Sequence, residues 1–131
     1  MLDANVLFSA LLSKTSITAR MVGYIKDNHT IVICLYALEE VVRGFHKKFP
    51  EKVQNMHEDL GLLPYEFVHF NNFDQTKYPI IKDIDDLPIL ANAIEAGVDI
   101  LITGDTDFDD VEIDKPRIMK PRQFLDEYMM V

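Results

Sequence analysis

A chain of 131 residues is long enough to bury a core without disulfide staples, and 48% apolar with 27% charged residues is the balance of a globular protein. No apolar run approaches the roughly 20 residues a membrane span requires, so neither a membrane-bound nor a disordered chain is expected. Thirteen Lys plus Arg against 22 Asp plus Glu leave a net charge of −9, the wrong sign for a nucleic-acid binder that relies on phosphate neutralisation alone.

The charge is unevenly spread. From Asp83 to Glu112 there are ten acids and no Lys or Arg, while bases gather at Arg43, Lys47, Lys48 and Lys52 and again at Lys115, Arg117, Lys120 and Arg122. An acidic centre with basic flanks suits a metal-dependent site with phosphate-holding margins. The first residues lack a secretory signal's basic region and apolar core. The single cysteine, Cys34, lies in an apolar run as a small hydrophobe, so a cytoplasmic location and one domain over residues 1–131 are expected.

In chain order, Met1 to Leu7 places Asp3 at the end of a very short apolar lead, so that either the first strand is abbreviated or the start lies a few residues upstream. Ser16 is a candidate N-cap for a helix to about Asp27, with Ile17, Met21 and Ile25 on one buried face. Thr30 to Cys34 reads as a buried strand. Tyr36 to Lys48 reads as a helix with an apolar stripe at Leu38, Val41, Val42, Phe45 and Phe49. At about 100° per residue Glu40 falls nearly opposite that stripe, so periodicity alone predicts a solvated side chain. Gly44, one turn later, costs roughly 1 kcal/mol in a helix interior and marks a close approach of the backbone to a neighbour.

Pro50-Glu51 opens a further helix through about Leu60, ending at Gly61, and Glu66 to Phe70 alternates as a strand. His46, His57 and His69 share no ligand-like spacing with one another or with Cys34, which argues against zinc. Asn71 to Lys82 is a connecting loop. Leu87, Leu90, Ala91, Ile94 and Val98 form a second helical stripe with Gly97 as its C-cap, and in isolation Asp86 reads as that helix's N-cap.

Ile100-Leu-Ile102 is a short buried strand that breaks at Gly104 into four aspartates within six residues, Asp105, Asp107, Asp109 and Asp110. Such a cluster is tolerable if solvated and useful if a divalent cation neutralises it. It is not an EF-hand, because Asp110 stands where the turn glycine belongs and Pro116 where the closing glutamate belongs. Arg117 to Met119 fits an edge strand, and Pro121 opens a helix over Arg122 to Met129. Strands alternating with helices predict a three-layer α/β/α domain with a mainly parallel central sheet.

Asp3, Glu40, Asp86 and Asp105 all fall beside predicted element ends, and such ends converge on one crevice in a parallel sheet. Carboxylates around a hole are hard ligands suited to Mg²⁺ or Mn²⁺. With Leu2-Asp3-Ala4-Asn5-Val6-Leu7, Glu40-Val41 followed by Gly44, Asp86 followed by Ile89-Leu90-Ala91 and Ala93, and Thr103-Gly104-Asp105 followed by Asp107-Phe108, the chain resembles the PIN-domain family. That family of metal-dependent ribonucleases includes VapC-type toxins of toxin–antitoxin pairs.

The resemblance implies that Asp3, Glu40, Asp86 and Asp105 bind the metal, with Asp107 as a fifth acid. It also points Glu40 into the cleft, gives Asn5 and Thr103 a role in shaping the site, and leaves Asp83 and Asp85 competing with Asp86 for the third position. Arg43, from the first basic cluster, is assigned to substrate positioning. The implied activity is cleavage of single-stranded RNA, with a cognate antitoxin and a homodimer as expected partners. Two alternatives compete. One is a degenerate, non-catalytic PIN-like module that binds RNA or protein. The other is a haloacid-dehalogenase-like phosphatase, whose G-D-x-x-x-D element Gly104 to Asp109 imitates but whose second aspartate is replaced by Asn5.

Overall fold

In the computed structural model, which describes residues 1–129, the first three residues already form part of the sheet. Strand β1 (Ile31–Cys34) pairs in parallel with β2 (Tyr65–Val68), and β3 (Ile100–Ile102) pairs in parallel with β4 (Arg117–Met119). The extended segment Met1–Asp3 joins these two ribbons. Leu2 N donates to Val32 O at 3.1 Å on one side, and on the other Ile102 N donates to Met1 O at 2.9 Å and Asp3 N to Ile102 O at 3.0 Å. The spatial order is therefore β2, β1, Met1–Asp3, β3, β4. This short extended segment is the middle of the sheet.

Among the described residues six α-helices surround these strands: α1 (Ala4–Leu12), α2 (Ile17–Asn28), α3 (Leu35–Lys48), α4 (Val53–Leu62), α5 (Leu87–Glu95) and α6 (Pro121–Phe124). Helix α1 packs on α2, α3 and α4, and α3 also packs on α4 and α5. Leu101 and Ile102 point to opposite faces of the sheet and both are buried, so helices cover it on both sides. This is the three-layer α/β arrangement the sequence predicts.

Local chemistry explains most boundaries. Ser16 Oγ accepts from Ala19 N at 3.0 Å and starts α2, while Gly97, at φ +67°, takes the left-handed turn that ends α5. Helix α1 was not anticipated, because Ala4 to Leu12 is apolar nearly all round and shows no distinct stripe. Ile17, expected to face inward, is exposed, and Met21, Val22 and Ile25 carry the buried face of α2. Helix α4 passes through Gly61 to Leu62 and follows a single 3₁₀ turn at Pro50–Lys52.

The second strand stops at Val68 rather than Phe70. Buried Asn92 takes both backbone groups of Phe70: Oδ1 accepts from Phe70 N at 2.8 Å, and Nδ2 donates to Phe70 O at 3.1 Å. At the C-terminal end, α6 begins at Pro121 and widens into a π-helical turn, Leu125–Met129. No helix among the described residues is long and apolar enough to cross a membrane.

Candidate active site

The carboxyl ends of Met1–Asp3 and β3 lie side by side, which sets Asp3 next to Thr103. Asp3 also caps α1, its Oδ1 accepting from Ala4 N at 2.7 Å. Its other oxygen accepts from Thr103 Oγ1 at 2.7 Å and from Asn5 Nδ2 at 3.5 Å. The same Thr103 hydroxyl accepts from Asp105 N at 3.0 Å, and Asn5 Oδ1 accepts from Gly104 N at 3.0 Å. Asn5 and Thr103 thus tie the first acidic segment to the last. Asp105 in turn caps a 3₁₀ turn, Thr106–Phe108, accepting from Asp107 N at 2.9 Å.

Four predicted acids, Asp3, Glu40, Asp86 and Asp105, line one open cavity of about 300 Å³. Glu40 is solvent-exposed, as the helical wheel required, yet it also faces this cavity, because the cavity is open to solvent. Gly44 sits beside it, where an added Cβ would stand 3.0 Å from Cε2 of Phe8. That is the close approach expected from the sequence.

Burial dominates the electrostatics. It raises the carboxyl of Asp3 above the ordinary range, against hydrogen bonds from Thr103 and Ala4 that favour the charged form, and Asp105 adds to the rise. Although Glu40 is largely exposed, partial desolvation of its carboxyl raises it too, reinforced by Asp3 and Asp105 and opposed by Arg43. Asp86 is pushed up to about 7 by burial first and then by Asp105, Asp83, Asp107 and Asp3. Its Oδ2 is buried without a hydrogen-bond partner among the described residues.

The N-cap reading of Asp86 therefore fails. Its side chain makes no cap bond, and it is Asp83 that accepts from the Asp85 amide, at 3.0 Å. Of the three competing acids, Asp86 lines the cavity; Asp83 and Asp85 are both exposed, and of these two it is Asp83 that brings an oxygen within 4.8 Å of Asp86. One oxygen each from Asp83, Asp86 and Asp107 lie within 4.8 Å of one another. Among the described residues this is the one metal-compatible group that tight, and no histidine belongs to it.

A family model for the PIN domain matches residues 1–107. The chain belongs to the PIN-domain family. A chain in the crystal structure of VapBC2 from Rickettsia felis, bound to a DNA fragment from their promoter, shares the fold at a TM-score of 0.65 and 23% identity. The alignment covers 91% of this chain and 95% of that one. No curated protein sequence matches significantly.

All four cavity acids of this PIN domain, with Asp107, fall within the matched span. Arg43 is exposed beside Glu40 and does not line the cavity. Lys48, which does, was read only as part of a basic cluster. The signal was its spacing: Glu40, Gly44 and Lys48 follow one another at intervals of four, along one side of α3. Phe8, the cavity's aromatic wall, lies on the unanticipated α1 and left no such signal.

Proposed function

We propose that this chain is a single-domain, metal-dependent endoribonuclease that cleaves single-stranded RNA, the toxin of a toxin–antitoxin pair working in the cytoplasm. The observation that carries the reading is the convergence of Asp3, Glu40, Asp86 and Asp105, from four separate segments, on one cavity.

The residues fit a hard divalent cation. The donors are carboxylate oxygens, and Asp86 carries a buried oxygen with no hydrogen bond of its own. In this reading Asp3, Glu40, Asp86 and Asp105 hold Mg²⁺ or Mn²⁺, with Asp107 and Asp83 supporting Asp86. Such an ion supplies Lewis-acid stabilisation of the scissile phosphate and a more acidic bound water.

The chain's own residues do the positioning. Thr103 and Ala4 N hold both oxygens of Asp3 in place, and Asn5 keeps Gly104 and Asp105 in register with it. Lys48 and Arg43 offer positive charge to flanking phosphates, which reconciles RNA binding with a net charge of −9. The likeness to a VapBC2 chain supports a cognate antitoxin as partner, and a homodimer belongs to the same reading.

The test is cleavage of end-labelled single-stranded RNA with Mn²⁺, Mg²⁺ or EDTA, wild type beside Asp105→Asn. Metal-dependent cleavage lost in the variant is expected. A protein that neither cuts RNA nor gains melting temperature with Mn²⁺ overturns the reading and leaves a binding module.

A further inference from the structure

Beside the acidic cavity lies a second one, of about 390 Å³, and Thr103 and Asp105 line both. Its lining mixes apolar side chains, Val111, Ile113, Ile118 and the almost wholly buried Phe108, with the polar Arg117, Lys120 and Gln123. We propose that this second cavity is a nucleoside-binding subsite, which takes the base of the RNA residue next to the scissile phosphate and so contributes to the choice of cutting site. The inference rests on the nuclease reading of the neighbouring acids.

The chemistry of the lining separates a base from a free anion. Both cations are already engaged: Lys120 Nζ lies 3.3 Å from Asp109, and Arg117 pairs with Glu127, its second nitrogen 2.8 Å from Oε1. With Asp105, Asp109 and Asp114 also in the lining, no net positive field attracts a lone phosphate. What remains is aliphatic surface at Val111, Ile113 and Ile118 interleaved with hydrogen-bonding groups. A flat, uncharged heterocycle matches that, its faces against the aliphatic side chains of Val111, Ile113 and Ile118 and its polar edge at Gln123.

Gln123 is placed to read such an edge. Its Oε1 accepts from Lys120 N at 2.8 Å, which fixes the side chain and leaves its amide N–H groups to donate. The volume is within the range of small-molecule sites, about 300–1,000 Å³. Because Asp105 is common to both cavities, a base seated here lies within one residue of a phosphate held by the acids.

The experiment is a titration of ¹⁵N-labelled wild-type protein in EDTA with adenosine, cytidine, guanosine and uridine, followed by amide chemical shifts, so that no catalysis is needed. Saturable shifts confined to residues 103–123 are expected for at least one nucleoside. Val111→Phe and Ile113→Phe, which fill the cavity from a surface loop, should each weaken that binding by about tenfold or more. No saturable shift, shifts elsewhere, or binding unchanged in both folded variants overturns the subsite.

Cleavage of RNA randomised around the cut site provides the second readout. The filled variants should lose the wild type's base preference, and Leu62→Ala, at an exposed position outside both cavities, should keep it. Cleavage without nucleoside shifts rejects the subsite and spares the nuclease. Nucleoside shifts without any metal-dependent cleavage reject the nuclease and spare the cavity.

Discussion

Thr103 and Asp3 stand 100 positions apart in the chain and share a hydrogen bond of 2.7 Å, donated by the threonine Oγ1 to Asp3 Oδ2, with both residues buried. Thr103→Val keeps the shape and removes this donor together with the acceptor for Asp105 N. A loss of about 1–3 kcal/mol in urea unfolding is expected, the cost of leaving buried polar groups unpaired. A change within about 0.5 kcal/mol, the range of ordinary surface substitutions, would show that water replaces the hydroxyl.

Asp105→Asn removes one negative charge from a cluster that already repels itself. The metal-free variant should melt at or above the wild-type temperature, since Asp105 raises both Asp3 and Asp86. It should also lose Mn²⁺ stabilisation, and cleavage should fall by more than about 100-fold, because losing even a group that merely supports a ligand costs about 10–100-fold. Retained metal-dependent cleavage would remove Asp105 from the ligand set.

Asp86 sets a pH dependence of definite sign. Unfolded, it titrates near the ordinary value of about 3.9; folded, near 7. Between these values the folded state keeps a proton that the unfolded state has released. The stability from this group is therefore fully present below about pH 4 and is lost as pH rises through 7. Asp86→Asn does not titrate, so its melting temperature should gain on that of the metal-free wild type from pH 4 to 8. Stabilisation by Mn²⁺ runs the other way, small at pH 5 and growing above 7, because the ion competes with the proton. Parallel melting curves for the two metal-free proteins would contradict the raised value.

Gly44→Ala would ordinarily strengthen a helix by about 1 kcal/mol. Here the new Cβ meets Phe8 at 3.0 Å, and that ring is held against Phe45 and Phe49 with centroids 4.6 and 6.1 Å away. The contact should cancel the helical gain. Gly44→Val should be destabilising by about 1–3 kcal/mol, as overpacked cores are. A full gain in the alanine variant would mean that Phe8 yields freely.

Asn92 is fully buried and holds the backbone of Phe70 at both its amide and its carbonyl, with a further bond to Pro88 O at 2.8 Å. Asn92→Ala should cost about 1–3 kcal/mol in denaturant unfolding. The Phe70 amide should exchange with solvent much faster in the variant, because its only acceptor among the described residues is gone. Unchanged protection at Phe70 would assign the stability of this loop to its other contacts.

Much of this PIN domain is legible in its sequence because the signals are local. A serine at position 16, a glycine at 97 and apolar stripes at helical or strand spacing act over a few residues, and outside Ile17 the structure follows them with boundary shifts of one to three positions. The acids at element ends were visible for the same reason. What local pattern could not reveal lies where the partner is remote or the period is absent, as in the uniformly apolar α1 and in Asn92, whose partner Phe70 is 22 residues upstream.

By itself the sequence determined which residues carry charge, where most helices and strands begin, and that the chain's acids sit beside the ends of those elements. Only the tertiary structure decided that Met1–Asp3 lies between β1 and β3 and that Asp86 caps no helix but keeps an orphaned oxygen. Only the fold, likewise, decided that Lys48 faces the acids and that Asp105 divides two cavities. The physical reason is that such relations depend on hydrogen bonds and burial between segments up to 100 residues apart, which exist only once the parallel sheet has chosen its strand order.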